Sequence, residues 1–242
     1  MRTVIISQEI QLLTGRQETI KMRDKRFIIV FAKEPQRGKV KTRLNNDLSP
    51  ERAVGLYKAF LKDTVELINK YKNVHKIMAY HSEGNPVYLK RIAADYIFYK
   101  QKGASLGQRL YAAFVFAKNQ GSTKTVIVGS DAPDLPPEYI ETAFRKLSKH
   151  DVVFGPARDG GYYLVALKKS MRNIFLGIQW STSRVLAESL RKAKEADQKV
   201  YLLKPWRDID QYEDLKALRT LLKTNKNFAQ HTRRFLHGKC FK

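Results

Sequence analysis

Short apolar runs alternate with longer amphipathic stretches along most of this chain. FIIVFA, Phe27 to Ala32, is apolar without a break, as a strand buried on both faces requires. Ser49-Pro50-Glu51 then supplies a capping hydroxyl, a proline where no N–H is missed and an acid against the positive end of a helix dipole, which predicts a helix start. Beyond it Val54, Tyr57, Leu61, Thr64, Ile68 and Tyr71 recur every three or four residues, one stripe turned toward a sheet. HKIMAYH, YIFY, TVIVGSD, DVVFGPA, YYLVALK and VYLL read as further strands. PVYLKRIAADY, LGQRLYAAFVFAKN, PEYIETAFRKLSK, TSRVLAESLRKAKEA and YEDLKALRTLLK read as helices. Strands alternating with helices in this way predict an α/β fold with a mostly parallel central sheet covered on both faces. Residues 1–25 and 226–242 lack the alternation, and are expected to be an N-terminal extension and a basic C-terminal tail around a domain at 26–225.

Composition narrows this picture. With 242 residues, 43% of them hydrophobic, the chain can bury one large core. No run approaches the about 18 consecutive apolar residues of a membrane span, and the start, MRTVIISQEIQLLTGRQE, lacks the pattern of a secretion signal; a soluble, cytoplasmic protein is expected. The one cysteine, Cys240, excludes a disulfide framework and a cysteine metal cluster. Lys and Arg number 46 against 23 Asp and Glu, a formal charge of +23 that attracts polyanions and phosphorylated small molecules. These cations are scattered over several helices instead of gathered on one element with aromatics between them, which disfavours specific nucleic-acid binding. A non-catalytic module serving an acidic partner remains the alternative class.

In a parallel sheet, ligands sit beyond the carboxyl ends of the strands, so the chemistry is sought just after each apolar run. After the first comes AKEPQRGKVKTRL, a loop with one glycine and the cations Lys33, Arg37, Lys39, Lys41 and Arg43, which suits phosphates or is simply an exposed basic loop. Neither GxxxxGK[ST] nor GxGxxG occurs. After TVIV comes GSDAPDLP. Asp131 there suits a divalent cation, while Asp134, before Leu135-Pro136-Pro137, reads more readily as a helix cap. Asp159-Gly160-Gly161 between two strands is a tight hairpin or a close approach to a ligand. Trp180, Ser181 and Thr182 before a helix offer an indole beside hydroxyls, suited to a polyol ring, with capping the plainer account. Asp208 and Asp210 in RDIDQYEDL could cap the next helix or, if their strand neighbours that of Asp131, share its cation. The histidines, His75, His81, His150, His231 and His237, are expected at the surface or at caps.

FAKEPQRGKVKTRL, SLGQRL, VGSDAPDLP, DVVFGPARDGGYYLVAL, GIQWSTSRVL and RDIDQYEDL, in this order, resemble a transferase family often labelled radical-SAM/selenodomain-associated. That family is similar to the molybdenum-cofactor and 2-phospholactate guanylyltransferases, and the resemblance runs from about Phe27 to Leu218. It implies a single-domain glycosyltransferase-A-like fold, the nucleotide-diphospho-sugar transferase sandwich. It further implies that Lys33, Gly38, Lys41, Thr42, Arg43, Gly107 and Arg109, with Leu106 nearby, hold a nucleotide. Asp131 and Asp210 would hold Mg2+ or Mn2+, Asp131 and Asp159 would be the catalytic acids, and Gly160, Gly161 and Tyr162, with Trp180, Ser181 and Thr182, would receive the acceptor. The donor is then a nucleotide sugar or, in the alternative, a nucleoside triphosphate attacked with release of pyrophosphate; the acceptor is a small molecule, and a homodimer is an open alternative. The chain departs from the family at Gln211 and Tyr212, where Thr and Pro are usual, at Ala132, where Cys is frequent, and at Glu34 and Arg37 in the first loop.

Overall fold

In the computed structural model, which describes residues 24–225 and 227–238, the apolar run at 27–32 becomes an inner strand of a seven-stranded sheet. The strands are β1 (Arg26–Lys33), β2 (Val74–His81), β3 (Ile97–Lys100), β4 (Lys124–Gly129), β5 (Val152–Pro156), β6 (Tyr162–Leu167) and β7 (Val200–Leu202). Their order is β3-β2-β1-β4-β6-β5-β7, parallel throughout except for β6, which runs against both β4 and β5. This is the mostly parallel sheet of the nucleotide-diphospho-sugar transferase fold. From β1 the chain turns to one side for β2 and β3 and returns to the other for β4, so the switch point lies between β1 and β4, where a crevice opens at the carboxyl ends.

Strand alternation sorts the core. Ile28 and Val30 of β1 face one layer with Leu61, Ile68, Leu89, Ile140 and Phe144. Phe27 and Ile29 face the other, with Leu110, Phe114, Phe175 and Ala193. The helices supplying these residues are α1 (Pro50–Asn69), α2 (Val87–Ile92) and α4 (Pro137–Lys146) on one face, α3 (Leu106–Asn119) and α5 (Val185–Glu195) on the other. The Ser49 hydroxyl accepts the Arg52 N–H at 3.3 Å, as its position before Pro50 predicts. Glu34, a departure from the family pattern, caps α2: its carboxylate accepts the Tyr88 and Leu89 N–H groups at 2.8 and 3.3 Å.

Two expectations need correction. Helix α1 buries more than one stripe, because Leu56 and Phe60 face a third apolar layer with Leu44, Leu48, Ile209, Leu215, Leu218, Leu222 and Leu236. That layer is built by α6 (Tyr212–Thr224) and by α7 (Gln230–His237), which lies in the segment expected to be a tail. The pattern hides this because the signal is an acid inside α1: Asp63, 4% exposed, accepts the N–H groups of His231 and Thr232 at 2.9 and 2.8 Å and so fastens the first turn of α7. Of the expected N-terminal extension, residues 1–23 and the structure of that stretch lie outside the described residues, as does Cys240. No helix among the described residues is long and apolar enough to cross a membrane.

Candidate functional site

A cavity of about 420 Å³ opens at the switch point, floored by the ends of β1 and β4 and by β6. Phe31, Ala32 and Lys33 enter it from β1, Ser130 and Asp131 from the end of β4, and Tyr162 and Tyr163 from β6. The 3-10 turn at Thr42–Leu44 and the residues before it bring Val40, Lys41, Thr42 and Arg43. Leu106, Arg109 and Leu110 come from the start of α3, and Asp208 and Asp210 from the segment before α6.

Asp208 and Asp210 do not arrive by strand adjacency, since β6 and β5 stand between β4 and β7. After β7 the chain runs back across the sheet's carboxyl end. The Leu203 N–H donates to Phe154 O at 2.8 Å, the Trp206 N–H to Pro156 O at 2.9 Å and the Ile209 N–H to Asp131 O at 2.9 Å. The last of these sets Asp210 beside Asp131. Asp214 then holds the turn, its carboxylate accepting the Asp210 and Gln211 N–H groups at 3.2 and 2.9 Å.

Between the two acids lies Lys41. Its Nζ is 2.6 Å from Asp131 Oδ1 and 3.2 Å from Asp210 Oδ1, and it donates to Ile209 O at 2.6 Å. It also sits 5.1 Å from the centre of the Phe60 ring. The Lys41 side chain is 3% exposed, whereas those of Asp131 and Asp210 are 43% and 38% exposed. Burial alone would lower the Lys41 pKa, but attraction to Asp131 and Asp210 outweighs it and raises the value, so the ammonium stays charged. The expected phosphate holder is thus engaged with the expected metal acids. Both acids nonetheless keep open surface toward the cavity, and Arg43 Nη1 approaches Asp210 Oδ2 at 3.3 Å from outside.

Asp208 occupies the most strained electrostatic position. Burial, then repulsion from Asp131 and Asp210, pushes its carboxyl up to about 7, only partly relieved by Lys41. Below the acids, the Tyr57 hydroxyl accepts the Lys33 N–H at 3.0 Å and shares a 2.8 Å hydrogen bond with Ser130 Oγ. Burial and the Asp131 charge raise the Tyr57 pKa, so it remains a neutral hydroxyl. At the basic end His81 lines the cavity; burial, then Arg109 and Lys33, lower its pKa.

Several expected residues lie elsewhere. Gly38, with φ +70°, and Gly107 do not line the cavity. A Cβ on Gly107 would sit 2.1 Å from Phe175 O and 2.8 Å from Trp180 Nε1, so this glycine serves packing of α3 against that loop. Of the acceptor residues only Tyr162 lines the cavity; Gly160, Gly161, Trp180, Ser181 and Thr182 do not, nor does Asp159. The hairpin reading of Asp159-Gly160-Gly161 holds: the Ala157 N–H donates to Gly161 O at 3.0 Å and the Asp159 carboxylate accepts the Gly161 N–H at 2.9 Å. Gly160 has φ +87°, with Ser183 O only 2.0 Å from where a Cβ would stand. Thr182 donates its hydroxyl to Gln179 O at 2.8 Å, a turn contact. Asp134 is neither cap nor ligand. It is buried with Arg207, Oδ2 to Nη2 2.7 Å, and α4 has no side-chain cap. His81 is exposed and Tyr57 is packed in the core, both as expected, and each also lines the cavity. Sequence reasoning gave no role to Phe31, Gln101 or Ser130, which only their positions at or just beyond strand ends could have singled out.

Among the described residues, one trio of potential metal ligands converges, Asp63, Glu66 and His231, but Asp63 is already occupied by the amides of α7.

Residues 64–182 match a family model described as uncharacterized proteins conserved in bacteria (DUF2064). A crystal structure of a Desulfovibrio desulfuricans G20 protein, provisionally assigned as a nucleotide-diphospho-sugar transferase, is 32% identical over 87% of this chain and 93% of that one, with a TM-score of 0.80. The chain belongs to the family of that protein. Members of more distant families share the fold alone. They include 4-diphosphocytidyl-2C-methyl-D-erythritol synthase from Anaerococcus prevotii DSM 20548, at 13% identity, 82% and 96% coverage and a TM-score of 0.57. Another is Rv0371c of Mycobacterium tuberculosis H37Rv in complex with manganese, at 10% identity, 80% and 97% coverage and a TM-score of 0.52. Among curated proteins none matches.

Proposed function

We propose that the protein is a divalent-metal-dependent transferase that binds a nucleotide-activated donor, a nucleotide sugar in the first reading, in the cavity between β1 and β4. The observation that carries this is the convergence of Asp131 and Asp210, from separate segments, on one edge of a cavity whose other walls carry Lys33, Arg43 and Arg109. Carboxylate and carbonyl oxygens are the ligands Mg2+ and Mn2+ prefer, and the acid pair keeps accessible oxygens. When bound, the ion would offset charge developing on the leaving diphosphate. Lys33, Arg43 and Arg109 add fixed positive charge around the same group. Phe31, Leu106 and Leu110 line the same cavity and offer an apolar surface for a base. The motif set also supports membership of the radical-SAM/selenodomain-associated type, and the nucleotide-sugar reading draws on the Desulfovibrio relative.

The test is a thermal-shift panel of nucleoside triphosphates and nucleotide sugars with and without Mg2+ or Mn2+ on wild type and Asp131→Ala. Metal-dependent stabilisation by a nucleotide, absent in the variant, is expected. No stabilisation in wild type, or the same stabilisation in both, sinks the reading. Product analysis then separates the chemistries, since a glycosyl transfer releases a nucleoside diphosphate and a nucleotidyl transfer releases pyrophosphate.

A further inference from the structure

We infer that Lys41 is a resident cation of the acid pair, and that its ammonium makes divalent-ion binding conditional on the nucleotide. The inference rests on the metal-dependent transferase reading and concerns how the same seat is regulated. An ammonium has three N–H donors and no acceptor. All three of Lys41's have oxygen partners in the protein, Asp131 Oδ1, Asp210 Oδ1 and Ile209 O, within 3.2 Å. The Phe60 ring covers it from below, and the chain at Lys41 is held in the left-handed region, φ 49° and ψ 37°, between the buried Val40 and Leu44. This side chain is not extended into the cavity as a lysine waiting for phosphate would be.

The arrangement has a consequence for charge. Two carboxylates facing each other repel, and the ammonium offsets one of their two charges while drawing both toward a single point. A second cation approaching that point alone meets a buried positive charge already bonded to both acids, with Asp208 the further carboxylate near it, and like charges that close repel. A diphosphate changes the balance, because its oxygens are equivalent acceptors for the ammonium and bring negative charge of their own. Lys41 is therefore a positioning residue while the cavity is empty, and becomes a phosphate contact only when a nucleotide arrives. This reconciles the phosphate-holding role implied by the loop's family resemblance with the geometry observed.

The experiment measures Mn2+ binding to the full chain by the loss of the free-ion electron paramagnetic resonance signal. Wild type, Lys41→Met and Lys41→Arg are each titrated with Mn2+ alone, then with Mn2+ plus an equimolar mixture of ADP, CDP, GDP and UDP. Lys41→Met is expected to bind Mn2+ alone at least about tenfold more tightly than wild type, while Lys41→Arg, which keeps the charge, shows no gain. In wild type the nucleotide mixture should strengthen Mn2+ binding, and in Lys41→Met that dependence should shrink. Equal or weaker Mn2+ binding by Lys41→Met without nucleotide overturns the inference, as does wild-type Mn2+ binding that is equally tight with and without nucleotide while equilibrium dialysis shows the nucleotide bound. If circular dichroism shows Lys41→Met to be unfolded, Lys41→Gln, neutral and still able to donate to Ile209 O, carries the same comparison. Failure of the underlying transferase reading looks different: wild type would then show no joint binding of Mn2+ and any nucleotide, whatever the variants do with Mn2+ alone.

Discussion

Asp131 and Asp134 stand on one loop after β4, and each meets a cation that ties this loop to another segment, yet their surroundings are opposite. Asp134 is fully buried against Arg207, which is itself 18% exposed, and the Trp206 indole N–H lies 3.4 Å from its other oxygen. Asp131 meets the buried Lys41, but its own side chain is 43% exposed and faces the cavity. In the first pair both charges are withdrawn from water and complete each other. In the second the cation is withdrawn while the anions remain reachable. A buried pair of the first kind joins the end of β4 to the returning segment; a half-open one can exchange partners. The loop thus carries one acid closed into an ion pair and one open to the cavity, and burial, not residue type, distinguishes them.

The contrast can be broken at its strongest point first. Asp134→Ala leaves Arg207 charged in a buried place where its Nε already has no hydrogen-bond partner, so a loss of about 3 kcal/mol or more is expected, read by chemical denaturation. At this chain length that corresponds to a fall in Tm on the order of 10 °C. Replacing both partners with apolar residues, Asp134→Leu with Arg207→Met, should recover much of that loss, and a double mutant no more stable than Asp134→Ala would show that the pair is not the unit. Asp131→Ala, by contrast, should cost only about 1 kcal/mol, since Lys41 keeps Asp210 and Ile209 O, while metal-dependent nucleotide stabilisation disappears. A loss as large as that of Asp134→Ala would erase the distinction.

The smallest expected effect concerns Asp208, whose folded pKa of about 7 lies above its ordinary value. Between the two values the folded chain holds a proton that the unfolded chain has lost. Its contribution is therefore full at acid pH and declines as pH rises through 7. Asp208→Asn should remove that decline and raise stability above pH 7 by roughly 1 kcal/mol, the screening of a partly exposed group having been allowed for. Denaturation at pH 5 and pH 8 checks it, and a gain that is larger at pH 5 contradicts the sign.

Much of the sheet was legible because FIIVFA, TVIVG and YYLVAL are apolar on both faces, a pattern that only an inner strand tolerates. The start of α1 was legible for a local reason, the Ser49 cap. What escaped depended on distant partners. Asp63 is an acid in a helix until α7 supplies two amides for it, and Gly107 is a phosphate glycine until Trp180 and Phe175 are found against it. The site was half legible on the same grounds. Asp131, Asp210, Asp208 and Lys41 are all candidates from the loops and motifs that carry them, but that Lys41 bridges the two acids and that Asp208 is crowded by them follow only from three-dimensional proximity.

The hydrogen bond from the Ile209 amide to Asp131 O stitches together positions almost eighty residues apart in the chain. Neither loop has a cation seat by itself. The β4 loop holds a lone carboxylate until the stretch beyond β7 lies back over the sheet and sets Asp210 beside it. The acid edge of the cavity therefore registers that two distant segments have met.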